Sequence, residues 1–222
     1  LVGSEMCIRD RIHITHDDGK NWNNVTPKNF PEWARIHTIE ISPHNDSTVY
    51  VCATKNMLDD YSPIIFKTTD NGETWDRIDN NFPNDQITRS IRVDPKDPNI
   101  LYVGTETGLY LTLDDGKEWI KINSNLPVVP VYDIAIRDNS IVLATHGRSF
   151  WILDDLAAFQ QNINLEKLKI LKPKPSYRIL GGNSRRSQDS ASLAISTIGD
   201  NPLKGVILDY YIPQLSIQLI LN

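Results

Sequence analysis

The 222-residue chain is predicted to be all-β, a partial β-propeller of four-stranded antiparallel blades. Three observations predict it. The pattern Thr-x-Asp-x-Gly-x-x-Trp occurs at Thr15–Trp22, Thr68–Trp75 and Thr112–Trp119, and its tryptophans recur with the roughly 40–50-residue period of a propeller blade. The stretches between the copies repeat as well: Ile39-Glu40-Ile41 followed by Thr48-Val49-Tyr50-Val51 aligns with Ile91-Arg92-Val93 followed by Ile100-Leu101-Tyr102-Val103. A third copy, Ile134-Ala135-Ile136 followed by Ile141-Val142-Leu143-Ala144, completes the series. Short β-branched runs separated by turn residues are strands.

Each blade reads as four strands in fixed order. The Ile-x-Ile/Val run is the first and the Tyr-Val run the second. The third, Ile64–Thr68 or Leu109–Thr112, runs into the eight-residue box, and the fourth begins at its Trp. The box is therefore the hairpin between the third and fourth strands. Its Asp (Asp17, Asp70, Asp114) is expected to accept hydrogen bonds from N–H groups two residues ahead. Its Gly (Gly19, Gly72, Gly116) takes the positive-φ position, and its Trp (Trp22, Trp75, Trp119) drops into the seam between blades. Asp17-Asp18 and Asp114-Asp115 look like catalytic carboxylates or calcium ligands, but only one member of each pair occupies the repeated position.

The flanks read differently. Residues 1–11 carry neither the apolar core nor the cleavage site of a signal peptide and read as a non-native scar. Residues 12–158 hold about three blades. Asp154–Phe159 reads as a helix start with an Asp N-cap. Residues 159–200 are expected to contain a helix, short strands and a Gly/Ser/Arg-rich linker. Residues 201–222 contain two apolar runs, Val206–Ile212 and Leu215–Leu221, joined at Pro213.

Composition narrows the partners. A net charge of -5 with both signs interspersed argues against nucleic acid, because phosphate binding needs a clustered basic face. The dense basic cluster, Arg185-Arg186, sits in a Ser-rich stretch and reads as solvated linker. Two cysteines, Cys7 and Cys52, cannot build a disulfide framework or a multi-thiolate metal site, and Cys52 lies in an apolar run as a small hydrophobe. No stretch reaches the roughly 20 apolar residues of a membrane span. Phosphate-loop, dinucleotide, nucleophile-elbow and Cys/His metal spacings are absent, so neither a cofactor nor a metal is expected.

The three boxes resemble the Asp-box, or bacterial neuraminidase repeat. Together with Asp94-Pro95-Lys96-Asp97-Pro98-Asn99-Ile100-Leu101-Tyr102-Val103, they are similar to sortilin-type propellers and their bacterial relatives. Ala144-Thr145-His146-Gly147-Arg148-Ser149-Phe150-Trp151 through Leu156 is similar to the closing motif of secreted bacterial proteins labelled glycosyl hydrolases. The resemblance covers Ile12 to Leu156. It implies a fragment from the C-terminal part of a propeller, with N-terminal blades of the same polypeptide as its partner. It also implies that residues 201–222 begin a truncated β-sandwich, and that the protein is secreted, periplasmic or on the cell surface.

Ligands of propellers usually meet the loops around the channel mouth. Those loops are expected to be Lys55–Ser62, Thr105–Gly108 and His146–Ser149 between second and third strands, with Pro31–Arg35 and Pro83–Arg89 leading into first strands. His146 and Arg148 could grip an anionic or sugar ligand, although Arg148 could instead bridge to a carboxylate of the next blade. Asp59 and Asp60 could act as paired carboxylates, bind a cation, or form a solvated acidic loop, with Tyr61 beside them. Trp33 could stack on a sugar or staple two blades. Glu106 has its position alone in its favour. No catalytic residue is assigned. The function expected first is non-catalytic binding of a protein or glycan ligand, and the alternative is part of a secreted glycoside hydrolase of the sialidase or xyloglucanase kind.

Overall fold

The computed structural model describes residues 10–122, 125–161, 169–173, 206 and 208–211. Their strands all pair antiparallel. A short hairpin, β1 (His13–Ile14) with β2 (Asn23–Asn24), precedes a four-stranded sheet. That sheet is β3 (Arg35–Ile41), β4 (Val49–Lys55), β5 (Asp60–Thr68) and β6 (Asp76–Arg77), in sequential order. The next repeats it with β7 (Thr88–Val93), β8 (Leu101–Thr105), β9 (Gly108–Thr112) and β10 (Ile120–Lys121). A three-stranded sheet follows: β11 (Val131–Arg137), β12 (Ser140–Thr145) and β13 (Phe150–Leu153). The all-β blade architecture expected from the repeats is what the chain adopts.

The core lies in the seams between consecutive sheets. Tyr50, Cys52 and Ile65 of one sheet pack with Ile91, Val93, Leu101, Val103 and Tyr110 of the next. Tyr102, Leu109 and Leu111 then pack with Val131, Ile134, Ile141 and Leu143 of the third. Val51, Ala53, Ile64 and Phe66 face the other way, toward Ile12 and Val25 of the first hairpin. Alternate residues of β4 thus fill two different seams. A strand buried on both faces has no polar side, which is why Val49–Ala53 is an uninterrupted apolar run.

The helix expected at Asp154–Phe159 is a turn. Asp155 Oδ1 caps Ala157 N–H at 2.9 Å and Leu156 carbonyl accepts from Gln160 N–H at 3.2 Å, a single helical cycle. Leu156 is drawn into the last seam, and Gln160 Nε2 reaches the buried Asp94 carboxylate at 2.8 Å, which turns the chain back onto the blade.

Residues 161–214 form a separate unit, in which β14 (Lys169–Ile170) pairs with β15 (Tyr210–Tyr211). Most of the expected linker and the apolar runs 206–212 and 215–221, apart from those few residues, lie outside the described residues, as do residues 1–9 and Cys7. Among the described residues no helix is long and apolar enough to cross a membrane, and no group of His, Cys, Asp or Glu could hold a metal ion.

Candidate functional site at the channel mouth

The three first strands share one irregularity. In β3 the pairing register shifts between Ile36 and Thr38, in β7 between Thr88 and Ser90, and in β11 between Val131 and Asp133. Each shift inserts one extra residue: His37, Arg89 and Tyr132. A β-bulge re-aims the side chain it inserts, and here the three inserted side chains line up from sheet to sheet. Arg89 Nη1 lies 3.4 Å from His37 Nε2, and its guanidinium carbon stands 5.0 Å over the Tyr132 ring. The Tyr132 ring in turn stacks on His146, centroids 5.3 Å apart.

The loops expected at the mouth converge on this row. Glu106 carboxylate accepts from Arg89 Nε at 2.5 Å, and Glu106 N–H donates to Ile87 carbonyl, which ties the β8–β9 turn to the start of β7. Gln86 Oε1 accepts from Thr105 Oγ1 at 3.4 Å and from Thr107. His146 N–H donates to Pro130 carbonyl in the same fashion one sheet later. Below the row a second tier crosses the sheets: Arg92 bridges Glu40 Oε2 at 3.3 Å and Asp133 Oδ1 at 2.7 Å. Burial raises the Glu40 carboxyl above its usual range, opposed by Arg92.

Other expected residues sit differently. Trp33 is 79% exposed at φ +63, so it staples nothing and presents its indole to solvent. Arg148 makes no ion pair among the described residues. Its carbonyl accepts from Trp151 Nε1 at 3.0 Å, and its exposed side chain lies in a turn with Gly147 at φ +92. Asp60 pairs with Lys55 at 3.4 Å and accepts from Ser62 N–H, bonds with Ser62 and Lys55 that hold its carboxyl below the usual range. Asp59 is left-handed at φ +56 and accepts from Tyr61 hydroxyl at 3.4 Å. The acids therefore shape the turn around Met57 and Leu58, both exposed.

The boxes are structural, with one difference from the expected bonding. In each copy Asp Oδ1 accepts from the N–H four residues on: Asn21 to Asp17 at 2.9 Å, Thr74 to Asp70 at 2.9 Å, Glu118 to Asp114 at 3.0 Å. The preceding Thr hydroxyl donates to the same carboxylate and accepts from the box Gly N–H, as Thr68 does at 2.7 and 2.9 Å. Bonds with Thr74 and Thr68 hold the Asp70 carboxyl at about 2. The residue before each Gly is also left-handed, Asp18, Asn71 and Asp115 at φ +57, +58 and +61, a conformation that Asp and Asn tolerate best among residues with a Cβ. That is why acids stand in tandem there. Trp75 and Trp119 enter the seams and donate to Val25 and Ile78 carbonyls of the preceding hairpin or sheet at 2.7 and 2.9 Å. Trp22 does not: it is 40% exposed and donates to its own Gly19, for no preceding sheet receives it among the described residues.

Sequence reasoning named Glu106 and His146 but not His37, Arg89 as a site residue, or Tyr132. A signal existed. Each stands two positions before the first Ile of its repeat, and each is large and polar or aromatic, followed by Thr38, Ser90 or Asp133.

Comparison with known proteins places the chain. A 31% identical stretch of 100 residues is shared with the xyloglucanase Xgh74A of Acetivibrio thermocellus, covering 40% of this chain and 12% of that protein. A Paenibacillus xyloglucanase is 28% identical over 138 residues, 52% of this chain and 13% of its own length. The chain thus spans only about an eighth of these relatives. The crystal structure of a GH74 xyloglucanase from Xanthomonas campestris superimposes with a TM-score of 0.51 at 18% identity, over 65% of this chain and 24% of that one, a likeness of fold. The family model described as sortilin, neurotensin receptor 3, matches residues 10–158, two thirds of the sequence and every blade among the described residues, and the chain belongs to this Sortilin-Vps10 family.

Proposed function

We propose that this propeller segment forms part of the glycan-binding face of a glycoside hydrolase of the xyloglucanase kind. The observation that carries it is the bulge-built row His37, Arg89 and Tyr132 with His146 beside it, which sets aromatic rings and several donors along one line. Tyr132 is 46% exposed, so the part of its ring that Arg89 and His146 leave open can meet the apolar face of a pyranose. The charge of Arg89 is offset by Glu106, so the row favours a neutral polysaccharide over an anionic one. The xyloglucanase relatives support this reading over the purely non-catalytic one.

The segment's share is binding. Of the carboxyls around the row, Asp60 is held below its usual range, Glu106 is committed to Arg89, and Glu40, though raised by burial, is committed to Arg92 and Val93 N–H. A polysaccharide of this size is met outside the cytoplasm, which supports an exported protein. Phe150 and Ile152, 74% and 61% exposed, stand at the positions where Leu109 and Leu111 enter a seam, which supports a further blade of the ring packing there. A second reading, capture of a protein ligand, draws on the exposed Met57 and Leu58.

Affinity electrophoresis of the full chain in gels containing xyloglucan tests the proposal. Retardation is expected, and Tyr132→Ala should weaken it about tenfold, the equivalent of about 1.4 kcal/mol. Equal mobility in blank and xyloglucan gels overturns it.

A further inference from the structure

At the far end of β5 from the channel mouth, an open cleft of about 360 Å³ lies between the β5–β6 hairpin of one sheet and the box of the next. The size falls within the roughly 300–1,000 Å³ of small-ligand sites. We propose that this cleft is a second binding site, for a neutral oligosaccharide held by hydrogen bonds alone.

The lining decides the ligand class. Lys67, Arg77 and Lys117 supply three cations, and Asp76 and Asp115 two carboxylates. Some of this capacity is spent. Asp115 accepts from Tyr50 hydroxyl at 2.9 Å and pairs with Lys67, while Arg77 holds Asp79 through Nε at 2.7 Å and Pro63 carbonyl through Nη2. What remains, among the described residues, is Arg77 Nη1 and Lys117 Nζ as donors and the Asp76 carboxylate as acceptor. The exposed Asn80 and Asn81 donate through Nδ2 to the Arg77 and Lys117 carbonyls. An anion needs donors only and would meet Asp76. A cation would meet three positive groups. Hydroxyl groups that each donate and accept use both kinds.

The unspent groups, Asp76 and Lys117 above all, are not needed to hold the seam. In the preceding seam the same frame recurs, with Trp75 on Val25 carbonyl where this one has Trp119 on Ile78. The positions of Lys67, Asp76, Arg77, Asp115 and Lys117 are filled there by Ile14, Asn23, Asn24, Asn71 and Glu73. A seam closes with Asn23 and Glu73 where this one has Asp76 and Lys117, so those two side chains are free to serve a ligand.

The test is a titration of the isotope-labelled full chain with cellotetraose, followed by amide NMR, to about ten times the roughly millimolar Kd of a site without stacking. Amide shifts are expected at Asn80, Asn81 and Lys117. The combined Asp76→Ala and Lys117→Ala variant should lose them, with Kd raised at least about tenfold and the remaining spectrum unchanged. Because both side chains are exposed, folding is not at stake, and Asp76→Asn should retain part of the binding. Tyr132→Ala, on β11 and outside the cleft lining, should leave these shifts in place, which separates this site from the channel-mouth reading. Shifts absent at that concentration, surviving in the double variant, or produced instead by sodium phosphate overturn the proposal.

Discussion

Asp70 and Gly72 show how much of a hairpin one residue can specify. The carboxylate collects the N–H of Thr74 and the hydroxyls of Thr68 and Thr74, which replaces solvent for donors that the tight turn cannot pair otherwise. Gly72 does two jobs. Its φ of +88 strains any residue with a Cβ, and a Cβ there would stand 2.8 Å from Val25 Cβ. Gly19 has the same backbone, φ +87, but a Cβ would meet only Trp22 at 3.7 Å. Gly72→Ala should therefore cost about 2–4 kcal/mol and Gly19→Ala about 1 kcal/mol, measured by urea unfolding. Equal losses at the two sites would show that backbone strain acts alone. The repeat made both glycines legible from sequence. The difference between them was not, since it lies in what the neighbouring hairpin presents.

At the scale of elements, sheets are joined through pairs that link one sheet to the box of the next. Tyr50 and Lys67 on one sheet share Asp115 of the next, and Arg92 joins β7 to β3 and β11. Charge-assisted bonds at partly buried sites carry about 1–3 kcal/mol. Asp115→Ala should lower stability by about 1–2 kcal/mol, and Tyr50→Phe should cost almost nothing further in that background. A double-mutant cycle in urea measures this, and additive losses would break the link. The strands themselves were legible because their apolar runs are long and regular. The bulges that carry His37, Arg89 and Tyr132 were not, because their recurring place in the repeat marks a position and only the pairing register shows that a residue is inserted there.

At the largest scale, each seam between consecutive sheets encloses its own buried cluster. Cys52 has no exposed surface, and burial pushes its thiol up to about 12, so it is present as the unreactive thiol. A Cys7→Ser variant should react with a thiol reagent only as fast as the blades unfold, with the labelling rate rising steeply across the urea transition. Prompt labelling in buffer would mean that the seam between β3–β6 and β7–β10 opens locally.

What the amino-acid sequence determined alone was the repeat: the boxes, the strand order, the buried role of Cys52 and the all-β class. Local hydrogen-bonding chemistry and apolar runs are properties of contiguous residues, so they can be read in one dimension. Only the tertiary structure decided which side chains meet around Arg89, that Trp33 is exposed, and that Asp154–Phe159 is a turn. Those outcomes depend on the register between sheets and on what the neighbouring blade offers, and neither is written in the segment that carries the residue.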